Sequence, residues 1–242
     1  MYNIAKKWVS IFPKKWVFKA EPYLRNIYAI FFIGKSVHCI ICNFKARSFN
    51  VLPNKDLLCR KCGSLSRDRR LWKFLKDNSL TQSNSILEFS PSRCLYRKWK
   101  KEKSKNYIAS DLSGNFMHDV SYDMTNIPVN NHSISLIIAY HILEHISNDI
   151  KAMQELYRII KPSGKIIIQT PFKEGNIYED FSITSEKERL QHFGQEDHVR
   201  IYSVNGLVSR LQSVGFNTEI FVLNKDNYLG FLENETIIIA KH

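Results

Sequence analysis

From residue 84 onward, short apolar runs alternate with segments of helical periodicity, and polar or turn-forming residues separate them. The apolar runs predict strands at residues 85–89, 107–111, 134–140, 165–170, 219–223 and 236–240, with a short further strand before Asp123. Helices are predicted at residues 148–160 and 204–214, and Pro91 is expected to open another. Alternation of this kind is typical of an α/β fold with a parallel, doubly wound, Rossmann-like sheet and helices on both faces.

The first 80 residues lack this alternation. Residues 1–38 combine lysines with aromatic and aliphatic side chains in a roughly helical pattern that Pro13 interrupts. They predict basic helices that either pack on their own domain or rest on an anionic membrane or on RNA. A second helix is expected after a cap at Ser64 or Ser66, and it would join the N-terminal region to the sheet domain. Its predicted inward-facing residues are Leu71, Trp72, Phe74 and Leu75.

Charge is distributed unevenly along the 242 residues, whose formal net charge is +12. Residues 1–72 contain 15 Lys and Arg against 3 Asp and Glu, whereas residues 73–242 contain 20 of each kind. The composition, 44% hydrophobic and 24% charged, excludes a disordered, collagen-like or coiled-coil chain. The longest apolar run, residues 27–33, would cover only about 10 Å as a helix, and no secretory signal is evident. We therefore expect a cytoplasmic protein, with peripheral membrane attachment as a further option.

Four of the five cysteines form two CxxC pairs, and sixteen residues separate the pairs. The pairs are Cys39 with Cys42 and Cys59 with Cys62. This spacing predicts a four-cysteine zinc ribbon, because two such turns supply four thiolates to one tetrahedral ion. With all four positions taken by sulfur, the zinc would be structural. A disulfide arrangement would require an oxidising compartment, for which the sequence has no targeting signal. Cys94 is expected to be a small buried residue.

Polar residues follow the predicted strands where a ligand of an open α/β sheet would bind. The candidates are Glu88, Asp111, Asp123 and residues 140–145. A carboxylate at the end of the second strand is suited to a ribose diol, which indicates an adenosine-containing ligand. The turn after the first strand has no glycine, so it lacks the dinucleotide fingerprint, and no phosphate-binding P-loop is present. A nucleoside without phosphates, such as S-adenosylmethionine (SAM), is compatible with such a turn.

Residues 84–242 resemble the class I SAM-dependent methyltransferases of the type-11 group. The stretches that carry the resemblance are DMTNIP at 123–128, SISLI at 133–137, HILEH at 141–145, ELYRIIKPSG at 155–164, HVRIYS at 198–203 and VGF at 214–216. The ribbon with CGSLSR at residues 62–67 also resembles a bacterial subgroup that carries a zinc module before this domain. We therefore predict a basic helical segment at 1–35, a zinc ribbon with connecting helix at 36–80 and a methyltransferase domain at 81–242.

The resemblance implies a role for each matching position around SAM. Glu88 would face the methionine amino group, Asp111 would hold the ribose hydroxyls, and Asp123 would accept from the adenine amino group beside the Met124 backbone. Ser90 belongs to the loop that would seat the cofactor, and Tyr140 and His141 would line its methionine side. The glycine-free loop at residues 90–92 departs from the family pattern. A non-catalytic SAM-fold binding module is the alternative that this departure keeps open.

Methyl transfer requires mainly that the acceptor be positioned, and a hydroxyl acceptor also benefits from a base. His141 and His145 are the candidate catalytic residues, and His141 is favoured as the base. The alternative is that both histidines cap or pack the loop after the fourth strand. The long segment at residues 173–200 is expected to be a lid or to contact the substrate through Tyr178, His198 and Arg200. His198 and Arg200 could instead anchor the helix that follows.

Two classes of acceptor are compatible with these features. A small molecule or a glycan is favoured, because relatives with the HxLEH pattern often act on small metabolites, lipids and sugars. The alternative is RNA, such as ribosomal RNA, bound through the basic residues 1–72 and the basic run at 97–101. Against RNA, the chain lacks an Asn-Pro-Pro-Tyr-type motif for a planar base nitrogen. The oligomeric state is left open by the sequence.

Overall fold

The computed structural model of the protein describes residues 14–103 and 105–242, with side chains from residue 16 onward at the N-terminal end. The predicted helix break at Pro13 and the first part of the predicted basic segment lie outside the described residues. The described chain divides into two compact units. The first unit runs to Phe74 and also includes Lys225–Glu233, and the second consists of Leu75–Asn224 and Asn234–His242.

The first unit combines a long helix with two small antiparallel hairpins. Its elements are α1 (Lys14–Ile30), β1 (Ile33–Cys39), β2 (Phe44–Ala46), β3 (Asn50–Val51), β4 (Leu57–Leu58) and most of α2 (Ser66–Asp77). The expected inward-facing side chains of α2 are buried, which confirms that prediction. A second buried feature of α2 is Arg69, which is fully inaccessible to solvent.

Arg69 connects three parts of the first unit. Its guanidinium donates to the carbonyl oxygens of Leu57 at 3.1 Å, Ser64 at 2.7 Å and Leu229 at 2.8 Å. It also lies 4.0 Å from the ring centroid of Phe49, within the range of a cation–π contact. Because a planar guanidinium offers five donors, one side chain can satisfy buried carbonyls from segments far apart in sequence.

A six-stranded sheet forms the centre of the second unit. Its strands are β5 (Ile86–Phe89), β6 (Tyr107–Ser110), β7 (Ile134–Tyr140), β8 (Ile160–Gln169), β11 (Asn217–Leu223) and β12 (Glu235–Lys241). Their order is β11-β12-β8-β7-β5-β6. The four strands from β5 to β8 are parallel, as the Rossmann-like prediction required. The remaining elements are α3 (Arg93–Lys103), α4 (Asp149–Ile159), β9 (Tyr178–Glu179), α5 (Glu186–Phe193), β10 (Arg200–Ile201) and α6 (Val204–Ser213).

The sheet differs from the prediction in three respects. β12 runs antiparallel to both β8 and β11, so the sheet is mixed rather than wholly parallel. The short strand predicted before Asp123 is reduced to one isolated bridge between Ser110 and Val120. β8 begins at Ile160, directly after α4 and five residues before the predicted strand, and its pairing with β7 is irregular between Ile160 and Lys165.

Isoleucine and leucine fill the interior of the second unit. Leu136, Ile137 and Ile138 on β7 are fully buried, as are Ile167 and Ile168 on β8. Strands covered by helices on both faces need apolar residues at successive positions rather than at alternate ones. This requirement explains why their sequences are continuous apolar runs. It also places the chain segments that follow these strands at one edge of the sheet.

Candidate active site and metal centre

The turn after β5 adopts a glycine-like conformation without a glycine. Ser90 has a φ of +47°, in the left-handed region that favours glycine. Its N–H donates to the Ser110 carbonyl at 2.7 Å, which ties the turn to the end of β6. The Ser90 hydroxyl also donates to Asp111 Oδ1 at 2.8 Å. The turn therefore has the left-handed geometry that a glycine would give. It also directs a hydroxyl at Asp111, the carboxylate that is predicted to bind the ribose.

Asp111 is buried directly after β6 and accepts hydrogen bonds on both carboxylate oxygens. Besides Ser90, its donors are the Ser113 hydroxyl, at 3.0 Å from Oδ2, and the Phe116 N–H, at 3.3 Å from Oδ2. Two of these three donors are hydroxyl groups. The hydroxyls of a ribose have the same chemistry and could take their place, so the residues present fit a nucleoside.

Glu88 lies on β5, one residue before the strand ends, and it is buried. The hydroxyl of Tyr107 donates to Glu88 Oε2 at 2.7 Å. Burial raises the pKa of Tyr107 well above its usual value, and the negative charge of Glu88 raises it further. Tyr107 therefore stays protonated and donates to the carboxylate that, by the family resemblance, would face the methionine end of SAM. No sequence pattern marked this tyrosine, because it reads as an ordinary strand residue.

Asp123 and Met124 form a tight turn, bounded by a bridge between Asp123 and Asn126. Asp123 is exposed, and its Oδ1 accepts from the Thr125 N–H and hydroxyl, both at 2.8 Å. Met124 is buried in the core of the second unit. An exposed carboxylate beside a fixed backbone is compatible with the predicted contact to an adenine amino group. The roles of both residues stay predictions.

The segment after β7 carries the candidate catalytic histidine in a constrained backbone conformation. His141 has a φ of +60°, and its N–H donates to the Gln169 carbonyl at 2.8 Å, at the end of the neighbouring β8. Its Nδ1 lies 3.4 Å from Glu144 Oε1. The preceding Tyr140 donates its hydroxyl to Glu235. The left-handed backbone turns His141 out of the strand direction while the buried Glu144 lies behind its ring.

His145 and His198 lie next to each other, with ring centroids 4.7 Å apart. His145 Nδ1 is 3.2 Å from a carboxylate oxygen of Asp197. His198 is buried, and burial lowers its pKa, with the nearby His145 lowering it further. The sequence predicts separate roles for these histidines, one catalytic and one in substrate binding. The structure brings them together in one cluster.

Arg200 lies inside the protein. Its guanidinium donates to Glu179 at 2.9 Å and to the carbonyls of Leu143, at 3.2 Å, and Ser147, at 2.8 Å. These contacts hold the turn that carries Glu144 and His145, and the predicted substrate contact of Arg200 stays a prediction. Tyr178, in contrast, is exposed, and its hydroxyl lies 2.7 Å from Nδ1 of His192. Its predicted substrate contact stays a prediction.

Four cysteine sulfurs meet in the first unit. Cys39 Sγ lies 3.5 Å from Cys62 Sγ, and Cys42 Sγ lies 3.8 Å from Cys59 Sγ. A tetrahedron with Zn–S bonds of about 2.3 Å has sulfur–sulfur edges of about 3.8 Å, so the spacing fits this ion. All four are free cysteines rather than disulfides. They can therefore supply the four thiolates that the sequence analysis predicted.

The turn after each CxxC pair has a left-handed residue, Asn43 with a φ of +57° and Gly63 with a φ of +75°. The Ser64 hydroxyl lies 3.3 Å from Cys39 Sγ and 3.2 Å from Cys62 Sγ. The pKa values of the cluster diverge. Hydrogen bonds, first of all from Cys42, lower that of Cys39, whereas the hydrogen bond with Cys39 raises that of Cys62. Four neighbouring thiols do not all ionise readily, because their negative charges repel one another. A divalent cation bound between them stabilises the ionised form.

The sheet order and the polar residues at its carboxyl edge define a Rossmann-like methyltransferase fold. A SAM-dependent methyltransferase from Archaeoglobus fulgidus has a similar structure, with a TM-score of 0.52 and 15% identity over 72% of this chain and 94% of that one. YcgJ of Bacillus subtilis gives a TM-score of 0.51 with 12% identity over 72% and 98% of the two chains. The phosphoethanolamine N-methyltransferase 2 of Haemonchus contortus, solved with S-adenosylhomocysteine, gives 0.52 with 14% identity over 72% and 52%.

Residues 66–219 match the sequence model of a family described as a methyltransferase domain, and the chain belongs to that family. This match confirms the methyltransferase domain that the sequence resemblance implied. The chain also matches the uncharacterized protein MJ0638 of Methanocaldococcus jannaschii, with 26% identity over 112 residues. That match covers 42% of this chain and 49% of the relative, so the chain spans about half the length of that protein.

Among the described residues, no helix combines the length and the apolar character needed to cross a membrane.

Proposed function

We propose that this enzyme methylates a hydroxyl group of a small polar molecule or a glycan, with His141 as the general base. The observation that carries the proposal is the pair formed by His141 and the buried Glu144, whose Nδ1 and Oε1 are 3.4 Å apart. A carboxylate behind an imidazole orients the ring and stabilises its protonated form. With Nδ1 directed at Glu144, Nε2 is the nitrogen that would take the proton from the acceptor hydroxyl.

SAM, when bound, supplies an electrophilic methyl group on a sulfonium with a good leaving group. The chain has to bind it, orient the acceptor and remove a proton. Asp111 would accept from the ribose hydroxyls, with Ser90 holding the carboxylate in place. Glu88, fixed by Tyr107, would face the methionine amino group. Tyr140 would close the methionine side next to His141.

Replacement of His141 by Ala tests the base. We expect kcat for a hydroxyl acceptor found in a screen with labelled SAM to fall by roughly 10²–10⁴-fold. The dissociation constant of SAM, measured by calorimetry, should change little. The exposed His118, which lies outside the pair, is the matched control. An unchanged kcat in His141→Ala would overturn the base assignment, and failure of the wild-type chain to bind SAM would favour the non-catalytic binding module.

A small acceptor is favoured over RNA because the catalytic portion of the chain has no cationic excess. Residues 73–242 contain 20 Lys and Arg and 20 Asp and Glu. RNA binding would therefore depend on residues 1–72. The affinity of such binding falls steeply as the salt concentration rises, and the number of phosphates contacted sets the slope. Weak RNA binding with a flat salt dependence would exclude RNA as the acceptor. Tight RNA binding that falls steeply with salt would instead exclude the small acceptor that we favour.

The four-cysteine cluster is proposed to hold a structural zinc ion. Its sulfur–sulfur distances of 3.5 and 3.8 Å match a tetrahedral tetrathiolate site, and no protein position is left open for a substrate. Zinc would stabilise a unit whose strands β3 and β4 have only two residues each. Binding free energy of a structural zinc ion becomes folding free energy in modules of this size.

The first unit is further proposed to dock on an anionic lipid surface through α1. Large apolar side chains on and just after this helix are exposed: Trp16, Tyr23, Leu24, Ile27, Ile30 and Phe31. At 3.6 residues per turn, all six fall within an arc of about 120°. Trp16 and Phe31 are each 73% exposed, which is unusual for such residues on a monomer surface.

A groove beside the end of this stripe supplies the positive charge. It has a volume of about 810 Å³, and its lining includes Lys35, Lys45 and Lys61 around Ile30 and Phe44. An apolar stripe next to lysines matches a bilayer surface, where acyl chains lie beneath anionic headgroups. Each lysine near such a surface contributes about 1 kcal/mol. The net charge of +12 in residues 1–72 has the sign that attraction to an anionic lipid surface requires.

Sedimentation with lipid vesicles tests this docking surface. The full chain should bind vesicles of phosphatidylcholine with phosphatidylglycerol and bind pure phosphatidylcholine much more weakly. Ile27→Glu should reduce binding at least tenfold, whereas Val51→Glu, on an exposed apolar residue outside α1, should not. Equal binding by wild type and Ile27→Glu, or no binding at all, would contradict the proposal. Tight RNA binding that is unaffected by Ile27→Glu would assign the basic surface to RNA.

A further inference from the structure

A second cluster of ligand-type side chains lies in the catalytic unit, separate from the cysteines. Glu144, His145 and His198 each offer one ligand atom, and these atoms lie within 4.8 Å of one another. Metal–ligand bonds of about 2.0–2.2 Å place neighbouring ligand atoms about 3–3.5 Å apart. Side-chain adjustments of about 1 Å would therefore bring the three atoms onto one ion.

The buried carboxylate of Glu144 is a second, independent indication of a cation-binding site. Glu144 is only 1% exposed, and among the described residues neither of its carboxylate oxygens has a hydrogen-bond partner. The His141 ring lies 3.4 Å from Oε1. Buried carboxylates are almost always hydrogen-bonded, paired or bound to a metal, because an uncompensated one is strongly destabilising. A divalent ion at this position would compensate the charge directly.

Both histidines also have the outer contacts that metal-binding histidines usually have. Asp197 lies 3.2 Å from Nδ1 of His145, and the backbone of Phe193 is within reach of the His198 ring. Contacts of this kind orient the imidazole ring of a metal-binding histidine. The backbone supports the arrangement, because the Val199 N–H donates to the Glu144 carbonyl at 2.9 Å.

We propose that Glu144, His145 and His198 bind a divalent transition-metal ion of the Zn²⁺, Mn²⁺ or Fe²⁺ class. Two imidazoles and one carboxylate suit these ions and leave coordination positions open. Because His141 precedes Glu144 by only three residues, an ion here would lie at the loop that carries the proposed base. An open position could then hold the acceptor oxygen and lower the pKa of its hydroxyl. This catalytic role rests on the proposed function, whereas occupancy of the site does not.

Cobalt(II) is the probe that separates this site from the cysteines. With zinc retained in the four-cysteine cluster, we expect one Co²⁺ per chain to bind with visible d–d absorption and without thiolate charge-transfer bands. Glu144→Gln and His198→Ala should each weaken Co²⁺ binding at least tenfold. His118→Ala, which removes an exposed histidine outside the cluster, should bind Co²⁺ as wild type does.

The outcomes distinguish this site from the proposed function. A zinc-loaded wild-type chain that binds no further Co²⁺, or a Glu144→Gln variant that binds it as tightly as wild type, would overturn the site. If His198→Ala does not fold, the near-isosteric Glu144→Gln decides, with SAM titration as the check that it is folded. Co²⁺ binding without any methyl transfer would leave the metal site standing and remove only the proposed catalytic role.

Discussion

Arg200 provides the sharpest quantitative test of how the turn at residues 143–147 is held. Its side chain is completely buried, and it pairs with Glu179 at 2.9 Å. The same guanidinium donates to the carbonyls of Leu143, Ile146 and Ser147. Arg200→Ala would leave these three carbonyls without that donor and would remove one of the two arginines around Glu179. The turn between residues 143 and 147, which presents the proposed metal ligands, would lose its main fixed point.

The size of the effect can be bounded from these contacts. A hydrogen bond to a charged group contributes about 1.5–3 kcal/mol, so four such bonds set an upper range of about 6–12 kcal/mol. The real loss should be smaller, because Glu179 keeps its contact with Arg210 and water can enter the space. Breaking a buried ion pair typically costs about 3–5 kcal/mol. We therefore expect Arg200→Ala to lower the free energy of unfolding by about 3–5 kcal/mol.

Urea denaturation followed by circular dichroism measures this loss. Arg200→Lys should lose less, about 1–3 kcal/mol, because it keeps the charge but not the planar fork of donors. Arg67→Ala, on an exposed arginine of α2, is the matched control and should change the free energy by less than about 0.5 kcal/mol. A value for Arg200→Ala within about 1 kcal/mol of wild type would refute the anchoring role.

Three further predictions address the cofactor, the metal and pH. Asp111→Asn should weaken SAM binding about 10–100-fold in calorimetry, because two charged hydrogen bonds to the ribose become neutral, and an unchanged affinity would exclude the ribose role. Cys59→Ser should release zinc and unfold the first unit in near-ultraviolet circular dichroism, whereas Cys94→Ser should do neither. Burial of Glu179 would raise its pKa, but hydrogen bonds from two arginines lower it overall. The stabilisation that ionised Glu179 provides should be complete above its unfolded pKa of about 4.3 and should disappear as the pH falls through the lower folded value. Glu179→Gln should therefore make the free energy of unfolding depend less on pH in this acid range.

The parallel strands could be predicted because burial on both faces produces continuous apolar runs. The direction of β12 could not be read from such a run, although the linker offered a signal. Only residues 224–234 separate β11 from β12, and this length is shorter than a parallel crossover usually needs. The prediction of a strand before Asp123 was wrong because one bridge at Val120 replaces a full ladder. Nothing in the local sequence indicates that Lys225–Glu233 belongs to the first unit.

The position of a candidate site residue could be predicted where that residue follows a strand. Asp111 lies directly after β6, and strand periodicity alone places its carboxylate at the sheet edge. Arg200 was harder, because an arginine usually reads as exposed, and its burial depends on acids and carbonyls from distant segments. Glu144 lies within the HILEH pattern, but the sequence does not indicate that its carboxylate is buried and has no hydrogen-bond partner within residues 14–103 and 105–242. Such features emerge only when separate segments meet.

The segment Lys225–Glu233 has a consequence for any attempt to trim this protein. The chain leaves the first unit after Phe74 and returns to it for nine residues between two adjacent strands of the sheet, so this unit is discontinuous in the gene. A shortened protein that starts at residue 75 would still carry the segment. Leu229 and Phe231, now 8% and 3% exposed, would lose the rest of their unit and be left in water. The four-cysteine region is thus interleaved in sequence with the methyltransferase domain rather than appended to it, and a minimal methyltransferase would have to be cut at both places.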